Sequence, residues 1–157
     1  MVALTRATLD DIPMMQSLVE KEIANGVILR RSDDEVATNI RSYILAREEG
    51  RVLGYAALHI HSPRLGEIRS LIVSQEARGR KIGRELILSL LSEAETLGIS
   101  EEVLVLTYLP EFFKKLGFVE IDKESIPEHK IWTDCINCIH FPVCNEISLV
   151  YRIEGRE

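Results

Sequence analysis

Between Leu71 and Arg84 the chain reads as an apolar strand end, a basic turn with Gly79 and Gly83, and the start of an amphipathic helix. A helix N-terminus offers backbone N–H groups without intrahelical partners and the positive end of the helix dipole. Arg78, Arg80, Lys81 and Arg84 add full charges around it, so the chemistry on offer is the binding of a phosphate or pyrophosphate. The plainer reading is a solvated basic helix start with no ligand. No Gly-x4-Gly-Lys-Ser/Thr occurs, which excludes a P-loop. No Gly-x-Gly-x-x-Gly follows the first strand, which argues against a Rossmann dinucleotide site.

Two further groups carry reactive side chains. His59 and His61 alternate onto one face of a strand, and imidazoles titrate near neutrality, so either could move a proton. Satisfied surface or core histidines are the plainer reading there. Cys135, Cys138, His140 and Cys144 place three sulfurs and one imidazole within ten residues, and Cys-x2-Cys is a zinc-knuckle spacing. The alternative is reduced cysteines in a loop, and we assign no metal.

These residues need elements to hold them. Val2 to Arg6 reads as a short strand. Thr8 with Asp11 caps a helix whose Ile12, Met15, Leu18, Val19 and Ile23 follow helical spacing, ended by Asn25-Gly26. Ser32 and Glu35 form a second capping box, opening a short helix with Val36 and Ile40 inward. Tyr43 to Arg47, a Glu49-Gly50 turn and Val52 to His61 read as a β-hairpin. A turn at Pro63 to Gly66 leads into a strand from Glu67 to Val73. Ile82 to Leu97 is the clearest helix, with Ile82, Leu86, Leu90 and Ala94 recurring every four residues and Gly98 as its stop. Val103 to Leu106 reads as a buried strand, Glu111 to Leu116 as a short helix, Phe118 to Ile121 and Ile147 to Ile153 as strands, and 123–146 as irregular. The order β-α-α-β-β-β-α-β-α-β-β indicates an α/β fold with a mixed sheet.

At 157 residues the chain fits one domain, 1–157, with a core of its own. Its net charge of −6 argues against nucleic acid as the main partner and makes the basic turn stand out. No apolar run approaches the ~20 residues of a membrane span, and Met1 to Arg6 is too short and mixed for a signal peptide. Three cysteines, an odd number, suggest no disulfide framework and point to a reducing, cytoplasmic setting.

The strand order and the turn together resemble the GNAT family of N-acetyltransferases. The family's central motif, Arg/Gln-x-x-Gly-x-Gly/Ala, is matched by Arg78 in its first position and Gly83 in its last, with Lys81 in place of the middle glycine. That departure fits if the backbone at Lys81 keeps φ below zero. Phe112 to Phe118 resembles the aromatic-rich helix and Gly-Phe turn after the fifth strand. The resemblance implies a mostly antiparallel seven-stranded sheet with four helices and acetyl-CoA as co-substrate. It also implies a coenzyme site formed by Leu71, Ile72, Val73, Arg78, Gly79, Arg80, Lys81, Ile82, Gly83, Arg84 and Phe113, with a main-chain N–H near Leu71 or Ile72 facing the thioester oxygen.

A closer resemblance, to the acetyltransferase domain of N-acetylglutamate synthases, lies in Gly26 to Ser32, Ala56 to Leu58, Gly66 to Leu71, Val105 to Thr107 and Phe112-Phe113. The Arg30-Arg31-Ser32 segment is not generic to acetyltransferases and carries the most weight. The implied reaction is direct attack of the α-amino group of L-glutamate on acetyl-CoA in a ternary complex, a step of arginine biosynthesis, in a short stand-alone form. Glu67 is then the expected base and Arg31, Arg64 and Arg69 the expected partners of the substrate carboxylates, with Lys130 a weaker candidate. Phe113 stands where many members place a tyrosine acid, so no acid is assigned; a thiolate with a pKa of ~8–9 needs little help in leaving. Two alternatives stay open: acetylation of another amine (glutamine, a polyamine, a protein N-terminus) and a non-catalytic acyl-CoA-binding sensor. A homodimer is the default for a domain this small.

Overall fold

The structure is a computed structural model that describes residues 2–24, 31–122 and 147–153, the side chains of 21–24 excepted. The expected helix stop at Asn25-Gly26, Arg30, Lys130 and the cysteine segment lie outside the described residues. Seven strands, β1 (Ala3–Arg6), β2 (Tyr43–Glu48), β3 (Arg51–Ser62), β4 (Leu65–Val73), β5 (Glu102–Thr107), β6 (Val119–Ile121) and β7 (Ile147–Arg152), form one mixed sheet, in the order β1-β2-β3-β4-β5-β7-β6. Together with four α-helices among the described residues, it is the expected α/β architecture. The β4–β5 pair is parallel, which requires a crossover, and α3 (Ile82–Leu97) supplies it. The chain divides into two compact units, Met1–Leu58 with Arg69–Ser92, and His59–Ile68 with Glu93–Glu157.

The first unit contains β1 (Ala3–Arg6), α1 (Ile12–Ala24), α2 (Asp33–Thr38), β2 (Tyr43–Glu48), most of β3 (Arg51–Ser62) and the second half of β4 (Leu65–Val73). Thr8 and Asp11 open a 3-10 turn rather than α1 itself. The Asp11 carboxylate accepts the Thr8 N–H at 2.8 Å and pairs with Arg47 at 2.6 Å. Burial pushes Asp11 upward, but Arg47 and Thr8 outweigh it and hold the group below its ordinary value. Ser32 caps α2 as expected, accepting the Glu35 N–H at 3.2 Å. Ile40, expected on that helix, falls in a following 3-10 turn. β2 and β3 meet through Glu49-Gly50, both at positive φ (52° and 77°), the geometry of a two-residue hairpin turn. Met15, Val19, Val36, Tyr43, Leu45 and Tyr55 form much of this unit's core.

The second unit contains the ends of β3 and α3, the first half of β4, β5 (Glu102–Thr107), α4 (Pro110–Lys114), β6 (Val119–Ile121) and β7 (Ile147–Arg152). β4 begins at Leu65, two residues before the expected start, because the turn is only Pro63-Arg64. Ser62 Oγ fixes that turn by accepting the N–H groups of Arg64 and Leu65 at 3.1 and 3.2 Å. Glu67 is therefore the third residue of the strand rather than its exposed end. Leu65 to Ile68 pair with Glu102 to Val105, and β5 pairs with β7 as far as Thr107. Leu65, Leu104 and Val150 pack together as a small core.

Candidate active site

The basic turn expected to hold the coenzyme lies in the first unit. Past a 3-10 turn at Gln75–Ala77, Arg78 is extended, Gly79 has φ +88° and Lys81 has φ +63° before α3 begins at Ile82. The expectation that Lys81 keeps a negative φ is thus overturned. A lysine held in the left-handed region costs roughly 1–2 kcal/mol, strain that glycine would not carry. The Lys81 carbonyl accepts the Glu85 N–H at 3.1 Å as the first bond of α3. Helix geometry then leaves the N–H groups of Ile82, Gly83 and Arg84 without intrahelical acceptors. A Cβ built on Gly79 would meet nothing within 4 Å, so that face of the turn is open to a ligand's approach.

The basic residues of the turn divide. Arg80 engages Glu48 with both guanidinium nitrogens, at 3.0 and 2.7 Å, and the pair holds the Glu48 carboxyl down to about 2. Arg51 meets Glu76 at 2.7 Å. These two pairs tie the β2–β3 hairpin to both ends of the turn. Glu48 was not foreseen from the sequence; its charge opposite an arginine-rich turn was the available signal. Arg84 lies exposed and 3.6 Å from Glu85, and Arg78 and Lys81 are exposed.

The strand entering the turn is held tightly. Ser70 has φ +57°, a left-handed residue inside β4 that no glycine advertised. Beyond it Ile72 is buried in the core, and Leu71 and Val73 are half-buried. Ser74 N–H donates to the Leu53 carbonyl at 2.7 Å. A Cβ on Gly54 would come within 2.6 Å of the Ile72 carbonyl oxygen, so only glycine lets β3 approach β4 at this point. Sequence reasoning passed over Gly54, because a lone glycine inside a strand has several readings.

The expected base lies in the second unit. Glu67 Oε1 is 2.7 Å from His61 Nε2, and both side chains are 3% exposed. The His59 ring meets that of His61 edge-on at 4.7 Å. The favoured base and one of its rivals are thus hydrogen-bonded partners. Phe113 is 2% exposed, its ring packed between those of Phe112 and Phe118 at 5.0 and 5.2 Å. Tyr108 is exposed beyond the end of β5.

Of the expected carboxylate partners, Arg31 borders a cavity. Gln16, Arg31, Ser32, Asp33 and Asp34 line a space of about 620 Å³ in the first unit. Gln16 Nε2 bridges the Arg31 carbonyl (3.0 Å) and Asp33 (2.9 Å), fixing the backbone there. The Arg31 side chain, 19% exposed, is 3.9 Å from Glu35. Its charge also reaches Tyr55, whose hydroxyl is pushed upward by burial and by Tyr43 while Arg31 opposes them. Arg69 is half-buried on β4. Arg64 is exposed in the turn, its carbonyl accepting the Glu101 and Glu102 N–H groups at 3.2 and 3.1 Å.

The profile of the acetyltransferase (GNAT) family matches residues 12–118, a span containing the basic turn, Glu67 and His61. The chain belongs to the GNAT acetyltransferase family. It is an N-acetyltransferase, and acetyl-CoA is its acyl donor. It is 38% identical, over 92% of both chains, to an uncharacterized N-acetyltransferase of Chlorobaculum tepidum. It is 27% identical to the amino-acid acetyltransferase of Vibrio cholerae over 80% of this chain, which spans only 28% of that relative's length. The solved N-acetylglutamate synthase of Neisseria gonorrhoeae, complexed with coenzyme A and N-acetyl-glutamate, superposes with a TM-score of 0.88 at 26% identity. The match covers 99% of this chain and 36% of that one. Among the described residues no helix is long and apolar enough to cross a membrane.

Proposed function

We propose that this GNAT acetyltransferase transfers the acetyl group of acetyl-CoA to the α-amino group of an amino acid, L-glutamate, with residues 1–157 acting as one catalytic domain. The observation that carries this reading is the 0.88 superposition, over 99% of the chain, on a synthase holding coenzyme A and N-acetyl-glutamate. The Arg31-bordered cavity supports it, since a guanidinium fork suits a substrate carboxylate. The product would feed arginine biosynthesis.

The chemistry follows from the residues. Main-chain N–H groups at the start of α3 hold the donor's pyrophosphate, and the turn's cations add to their field. The acceptor arrives as an ammonium. Glu67 takes one proton from it, breaking an N–H bond and forming an O–H bond. The freed lone pair attacks the thioester carbon, and a main-chain N–H of β4 near Leu71 or Ile72 steadies the oxyanion. Collapse breaks the C–S bond, and the second amine proton leaves to the thiolate.

A thiol-release assay over amino acids and polyamines tests the substrate. Turnover with glutamate is expected, and Arg31→Ala should raise its KM by ~10- to 100-fold, as loss of a charge-assisted hydrogen bond implies. Turnover with another amine while glutamate stays inert would overturn the assignment. Binding of acetyl-CoA without turnover of any amine would indicate a sensor instead.

A further inference from the structure

A carboxylate as buried as Glu67 is costly to keep charged. Its side chain is 3% exposed, and the β5 residue opposite it in register is Leu104, itself fully buried. Desolvation alone would drive such a group to take up a proton, and a protonated carboxyl cannot accept one from an amine. A donor to the charged form opposes this, and His61 Nε2 stands 2.7 Å from Oε1.

We propose that His61 is the positioning residue of this site. Its ring carries a proton on Nε2, and that N–H donates to Glu67 Oε1. This hydrogen bond holds the carboxylate in one rotamer, ready to receive the amine proton. This rests on Glu67 being the base. It goes beyond it in making β3, through His61, part of the catalytic apparatus. The His59 ring, edge-on to His61, restricts the imidazole's rotation.

The test uses the full chain with three substitutions, His61→Phe, His61→Gln and Glu67→Gln, assayed by thiol release with whichever amine turns over. His61→Phe removes the Nε2–H donor and should lower kcat by ~10- to 100-fold, with the KM for acetyl-CoA within about twofold of the parent. His61→Gln restores an N–H donor and should recover most of the lost kcat. Equal impairment of the two His61 variants would indicate a packing role and overturn the proposal. Wild-type kcat in His61→Phe beside an impaired Glu67→Gln would remove this inference alone; wild-type kcat in Glu67→Gln would remove the base assignment beneath it. Nitrogen-15 NMR of the resting protein supplies a readout free of turnover, and of the folding of His61→Phe. The Nε2–H tautomer is expected for His61, and a bare Nε2 with the proton on Nδ1 would overturn the proposal.

Discussion

The basic turn and the Glu67–His61 pair handle charge in opposite ways. Around the turn, charges are exposed and many, and Arg80 and Glu48 close their ion pair with side chains 44% and 24% exposed. What the turn offers is backbone, in the form of N–H groups at a helix start and residues 79 and 81 at positive φ. The pair is the reverse: two side chains, 3% exposed, with regular strand backbone around Glu67 and His61. Water screens the first region and not the second. A side-chain change should therefore be partly forgiven in the turn and heavily penalised at the pair, while backbone changes should matter most in the turn.

The largest effect should come from Glu67→Gln, which keeps shape and removes the proposed base. A fall in kcat of ~10²- to 10⁴-fold is expected, with acetyl-CoA affinity by calorimetry near that of the parent. A loss of affinity equal to the loss of rate would erase the contrast between the regions. Next is Gly54→Ala, whose methyl would sit 2.6 Å from the Ile72 carbonyl oxygen. Forcing β3 away from β4 should cost about 1–3 kcal/mol in urea unfolding and weaken acetyl-CoA binding along with it. An unfolding midpoint equal to the parent's would show that the strands adjust freely.

Glu48→Gln frees the Arg80 fork and should raise the KM for acetyl-CoA only a few-fold with kcat unchanged, as befits a solvent-screened pair. The same pair makes a pH forecast. Glu48 falls from an ordinary 4.5 to about 2 in the folded protein, so its contribution to stability is complete above about pH 4.5 and fades as pH drops through about 2. The melting-temperature gap between parent and Glu48→Gln should accordingly be flat at neutral pH and close only in strong acid. The smallest effect is expected from Lys81→Gly. It relieves left-handed strain but loosens the unfolded chain, so stability should move by no more than about 1 kcal/mol, toward stabilisation. A destabilisation well beyond that would mean that the Lys81 side chain braces the turn.

The same contrast governs what could be read from the sequence. α3 announced itself through Ile82, Leu86, Leu90 and Ala94, and ends where Gly98 said it would, because periodicity and stop signals are local. The Glu49-Gly50 hairpin and the Ser32 cap were legible for the same reason. The left-handed residues at Ser70 and Lys81 were not, since neither is a residue type that signals positive φ. The His61–Glu67 bond was missed because the turn was read as Pro63 to Gly66, which set Glu67 at a strand end. With the turn at Pro63-Arg64, the six-residue separation brings the two onto neighbouring strands. Arg80 was read as a ligand-facing cation because its partner lies 32 residues away, a distance no local pattern spans.

Ser70 also has a consequence for time. A ladder cannot run unbroken through a left-handed residue, so β4 is protected in two segments. The amides of Leu65 to Ile68, paired with β5, should exchange as slowly as that strand, while those past Ser70 should follow their contact with β3, sealed at Ser74 and Leu53. One strand thereby carries two clocks.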